Sequence, residues 1–242
     1  PRPVDMTRMF WVAMSMGAVH FGLIFMGLQW ATPSGMAIAL QMGVPFATVL
    51  SVIFLKERLG VPRIMGILLA LGGVLLVVAN PTSTDMSIGL LFGLGAAFMG
   101  AVGMILVKRL PLDSIHMQAW IGLLSWPPLL LLSLVMERDQ LQSALDGNWL
   151  FLLALIFTVV VVNIYGHGTF YRLIQRYDAT MIAPITLLAP LVGVIGGILV
   201  MGDPYGWRLF VGGGLTLVGV GIIALRQNRK LPNAALSREK AL

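Results

Sequence analysis

Residues 34–60 read SGMAIALQMGVPFATVLSVIFLKERLG. No charge interrupts the run from Ser34 to Leu55, and it has the length an apolar helix needs to cross hydrocarbon, about 20 residues. Pro45 sits near its middle, where a proline removes a backbone donor and kinks a helix. Lys56-Glu57-Arg58 ends the run, and Gly60 leads into a Gly-rich apolar stretch. Residues 179–206, ATMIAPITLLAPLVGVIGGILVMGDPYG, repeat the plan with Pro190 mid-span, Asp203 at the end and Gly206 beyond it.

An offset of 145 residues superposes Phe25 on Phe170, Leu28 on Leu173, Met36 on Met181 and Pro45 on Pro190. One further residue superposes Gly60 on Gly206, Gly66 on Gly212, Leu69 on Leu215 and Gly73 on Gly219. Around the two kinked runs lie six others, which makes eight candidate spans: Met9–Leu28, Ser34–Leu55, Ile64–Ala79, Ser87–Val107, Met117–Met136, Asn148–Tyr171, Ala179–Met201 and Leu209–Leu225. The third and eighth are short, but Arg63 and Arg208 precede them and their stems can snorkel to the interface. Composition agrees, with 58% hydrophobic and 11% charged residues among 242, whereas a soluble domain carries roughly 25% charged residues. The expectation is an all-α polytopic membrane protein, with a lipid bilayer around it and connections too short for an extramembrane enzyme domain.

The net charge of +6 is not a nucleic-acid signature, because the basic residues divide by side. The side of the amino terminus holds 14 of the 16 Lys and Arg, leaving Arg138 and Arg208 opposite, while the ten acids split evenly. This is the positive-inside bias, which puts both termini in the cytoplasm and suits a bacterial inner membrane. The tail from 226 to 242 is too short to fold a basic nucleic-acid-binding face. With no cysteine there is no thiolate nucleophile and no Cys-ligated metal. The motifs of metalloproteases, serine hydrolases and P-loops are missing, so neither an enzyme nor a cofactor is expected.

Spans one to three recur as spans six to eight, and five spans separate the two starts, so the units lie upside down to each other. Inverted repeats of this kind characterise secondary transporters, whose sites lie near the midplane. The second unit owns two spans before its match begins, so a complete chain is expected to carry two more spans before Pro1. The run from Phe25 through Pro45 and Leu55-Lys56-Glu57-Arg58-Leu59-Gly60 to Leu75-Leu76-Val77-Val78 resembles the EamA-type repeat of the drug/metabolite transporter superfamily. Tyr177-Asp178-Ala179 through Pro190 to Gly202-Asp203 resembles a second copy. The resemblance implies two inverted five-helix units around a central cavity, with residues 1–79 as an incomplete first repeat, 87–225 as the second and 226–242 as a basic tail. It also implies export of small molecules, amino acids or related compounds.

No Asp or Glu lies inside a span, so a substrate site must use neutral polar groups. His20 and His167 lie well inside spans one and six, and either could bind a substrate carboxylate or sense pH; the alternative is a neutral imidazole bonded to a helix carbonyl. Asn163 precedes His167 by one helical turn and shares its face. Gln41 precedes Pro45 by four residues and Thr186 precedes Pro190 by four, so both flank backbone whose carbonyls a proline leaves to other donors. These five residues are the candidate substrate-binding set, with no metal site among them. Glu57 and Asp203 are expected to cap helices or pair with Arg58 and Arg208. Gly89-x-x-x-Gly93 and Gly193-x-x-x-Gly197 are expected to pack helices closely. Trp120 and Trp126 could form an aromatic wall, while the remaining tryptophans suit an interfacial belt. A rival reading is a non-transporting membrane scaffold, and the sequence leaves a homodimer open.

Overall fold

A computed structural model of the chain describes residues 5–55, 59–79, 84–107, 114–167, 169 and 179–227. Each of the eight expected runs is helical. Span 1 is Met6–Leu28, and span 2 comes in two pieces, Pro33–Leu40 and Gly43–Leu55. Span 3 is Val61–Val78, span 4 Thr84–Val107 and span 5 Ser114–Met136. Span 6 covers 149–167, span 7 is Ala179–Met201 and span 8 is Trp207–Gln227. Among the described residues seven helices are long and apolar enough to cross a membrane, and Leu187–Met201 supplies a shorter apolar stretch in span 7. The chain is an all-α polytopic membrane protein.

Several helices start earlier than the apolar runs because polar residues cap them. Asp5 accepts the Arg8 N–H at 2.9 Å and begins span 1. Thr32 accepts the Gly35 N–H at 3.2 Å, with Pro33 in the first turn of span 2, where a proline gives up no intrahelical bond. Pro62 does the same for span 3. The connection after span 5 holds a short helix, Gln140–Asp146, that the span pattern does not announce.

Spans 3 and 8 form the tightest pair, backbone against backbone. A Cβ built on Gly66 would lie 2.8 Å from the Gly219 carbonyl, and one on Gly212 would lie 2.6 Å from the Gly73 carbonyl. The two helices therefore run antiparallel, and only glycine fits at these four points. The 146-residue offset exchanges Gly66 with Gly212 and Gly73 with Gly219. It thus carries the first contact onto the second, as a two-fold axis between the helices requires. Ala70 and Thr216, exchanged by the same offset, meet at the centre, where the Thr216 hydroxyl donates to the Gly212 carbonyl at 2.8 Å. In lipid the association of helices rests on such packing, since tails compete for apolar surface.

Span 4 is the other organiser. Its Gly89 lies against the Gly27 carbonyl and Ala31, and its Gly93 against Met36 and Ala39. Gly193 and Gly197 in span 7 meet Ala37 and Ser34 of span 2, so both small-residue pairs bring helices together as expected. The central core gathers Met36, Ala39, Met42, Val74, Leu90, Ala97 and Val220. Among the described residues, span 6 has no buried residue in its Trp149–Gly166 stretch.

Candidate functional site

Span 2 breaks one turn before Pro45. Gln41 N–H bonds the Ile38 carbonyl and Met42 N–H the Ala39 carbonyl, each at 3.1 Å and each three residues back rather than four. Pro45 has no N–H to offer the Gln41 carbonyl, which instead accepts from Val44 at 3.3 Å. The result is two half-helices whose ends meet at Gln41-Met42. A broken helix inside a membrane is tolerated where protein or a water-filled cavity satisfies it. Transporters use such breaks to present helix ends to substrates and ions.

His20 lies in the middle of span 1, partly buried against span 4. Its Nδ1 is 2.7 Å from the Ala96 carbonyl. A carbonyl can only accept, so Nδ1 carries the proton in this contact and Nε2 is the ring nitrogen left for another partner. The ring fits because residue 100 is glycine; a Cβ there would come 3.2 Å from Nδ1. Gly43, at the start of the second half of span 2, faces the neighbouring Ala97 carbonyl, with its built Cβ at 3.7 Å. One turn of span 4, near its midpoint, therefore receives both His20 and the break beside Gln41. The candidate residues of spans 1 and 2 lie at one depth.

The other three candidates are placed by backbone alone. Asn163 and His167 belong to 157–167 in span 6, and Thr186 belongs to span 7, one turn before the buried Pro190; their side chains lie outside the described residues. So does Glu57. Spans 4 and 5 contribute groups that residue type alone did not flag. Ala96 offers a carbonyl and Gly100 offers room, and the excess of Gly and Ala in span 4 was the available signal. Ser125, buried in span 5, donates to the Ala13 carbonyl of span 1 at 2.9 Å.

Asp203 caps a helix, but not by pairing with Arg208. Its Oδ2 accepts the Ser34 N–H at 2.8 Å and the Ser34 hydroxyl as well, tying the end of span 7 to the start of span 2. Arg208 donates to the Ala79 carbonyl at the end of span 3 and lies 5.5 Å over the Trp207 ring. Trp126 is exposed and Trp120 packs beside Met9 and Val12, so the two do not form a common wall.

An all-helical membrane protein with a proline-broken span, a histidine at the same depth and small-residue seams between spans has the construction of a secondary transporter. Residues 2–79 and 87–225 match the EamA-like transporter family, and the chain belongs to it. A relative from Salmonella typhimurium named "Probable amino-acid metabolite efflux pump" is 29% identical over 90% of this chain and 76% of its own length. A protein of the same name from Escherichia coli is 25% identical over the same shares. A Vibrio cholerae protein named "Riboflavin transporter" is 27% identical over 84% of this chain and 66% of its own length.

Proposed function

We propose that this membrane transporter exports small polar metabolites, amino acids or related compounds, by alternating access around His20, Gln41, Asn163, His167 and Thr186. The observation that carries the reading is the placement of His20 and the span 2 break on one turn of span 4. There an imidazole nitrogen suits one end of a zwitterion: Nε2 can accept from an ammonium. An anion carrier would be expected to supply Arg or Lys, and none lies in this region. The names of the Salmonella typhimurium and Escherichia coli relatives support an amino-acid cargo. Basic-residue placement supports a bacterial cytoplasmic membrane with both termini inside. The chemistry is transport rather than catalysis, and coupling, where present, runs through histidine or water.

The uncovered span 6 fits a further part of the reading. Span 1 nests against spans 4 and 5, and the repeat offset makes span 6 its counterpart. The uncovered span also favours the rival reading of a non-transporting scaffold that docks a partner there. Counterflow in proteoliposomes loaded with unlabelled amino acids and amines separates the two, comparing the chain with His20→Ala at equal reconstitution. Saturable exchange that the substitution abolishes supports the carrier. Well-folded protein that exchanges nothing favours the scaffold.

A further inference from the structure

Spans 1 and 6 share a departure from α geometry. Ala13–Val19 and Phe157–His167 are wound as π-helix, the form in which N–H groups reach five residues back rather than four, with the entry to the first segment still α-like, since the Ala13 N–H bonds the Met9 and Phe10 carbonyls. The 145-residue offset places 13–19 on 158–164, inside the second segment. Each segment runs up to a candidate histidine: His20 follows the first directly, its N–H shared between the Gly17 and Ser15 carbonyls, and His167 ends the second. Wide turns of this kind concentrate at functional sites, and their recurrence at matched positions is a second observation, independent of either histidine.

The first segment is held from outside. The Ser125 hydroxyl donates to the Ala13 carbonyl at 2.9 Å. Gly17 faces the Ser125 side chain with no room for a Cβ. At the far end the His20 ring bonds the Ala96 carbonyl at 2.7 Å. Inside the helix, rewinding to α geometry exchanges one carbonyl for the next along the chain and forfeits no bond. The rotation per residue changes, so His20 and all that follows turn about the axis. The bonds at risk are the two side-chain contacts to spans 4 and 5.

We propose that Ala13–Val19 is a hinge latched by Ser125, and that Ser125 is thereby a positioning residue for His20. The inference rests on the carrier reading for its transport consequence alone. Ring ¹⁵N NMR of the chain in nanodiscs, with His20 assigned by its loss in His20→Ala among only three histidines, tests the latch without any substrate. The wild type should show the Nδ1–H tautomer, and Ser125→Ala should lower the ratio of that tautomer to the other about fivefold, as expected for losing one ordinary hydrogen bond. In counterflow Ser125→Ala should raise the half-saturation concentration by up to about the same factor with the maximal rate kept, because fewer molecules hold His20 in place. Deleting Met14 removes the residue that permits two windings and should leave a folded protein that binds substrate but does not exchange it. An unchanged His20 ring signal in Ser125→Ala overturns the latch, and wild-type exchange after the deletion overturns the hinge. If the deletion variant does not fold, hydrogen–deuterium exchange decides instead: the 13–20 amides should open about fivefold faster in Ser125→Ala, and no change there overturns the proposal. A wild type that exchanges no substrate defeats the carrier reading and leaves the NMR test of the latch intact.

Discussion

Asp203 shows how one acidic residue at a span end can tie two helices. Its buried carboxylate takes the Ser34 N–H and hydroxyl, which satisfies an orphan donor and sets a negative charge at a helix N-terminus. Asp203→Asn keeps the shape and loses the charge, and thermal unfolding in detergent should report a loss of about 1–2 kcal/mol. Ser34→Ala removes the hydroxyl bond and keeps the N–H bond, and its cost should be less than additive with that of Asp203→Asn, because both weaken the same contact. At the glycine seam the expected damage is steric. A Cβ at Gly73 would run into the Gly212 carbonyl and Thr216, so Gly73→Ala should destabilise by roughly 1–3 kcal/mol by the same measurement. That Asp203 caps a helix was readable from its place in the sequence. Its partner was not, because 169 residues separate the two and no local pattern encodes that distance.

Span 2 is legible as an element for a simple reason: a proline in an apolar run can only bend or break a helix. The break duly falls at the carbonyl four residues before Pro45, beside Gln41. Pro45→Ala restores a donor to that carbonyl and should let the span close into one helix. Counterflow should then fall on the order of tenfold or more, the scale set by small misplacements at a transport or catalytic site, while thermal stability holds or rises. The wide turns of spans 1 and 6 had no such marker. In span 1 the winding goes with the contacts to Ser125 and the Ala96 turn and with the Ser15 hydroxyl, which donates to the Trp11 and Val12 carbonyls, and a lone serine in an apolar run does not announce that. The same holds for His20, which was visible as a polar group in a span while the carbonyl it meets was not.

For the whole molecule, an all-α membrane architecture was readable because the hydrocarbon core imposes one length on every span. The way the spans pack was readable only where glycines recur at matched offsets. These 242 residues hold no cysteine, so single cysteines at Thr84 and Ser237 give clean reporters of sidedness. They should react with impermeant maleimide from opposite faces of sealed vesicles, and labelling from the same face would reverse the proposed topology.

The seam between spans 3 and 8 also bears on how such a molecule moves. Side chains let helices slide by changing rotamer, but here carbonyl meets glycine with nothing between them to re-pack. Translation along the seam would drive a carbonyl into the next residue's Cβ, so the pair behaves as a fixed bearing. Distances measured between labels on these two helices should stay constant through a transport cycle, and they offer a ruler against which the displacement of spans 1, 2 and 7 can be read.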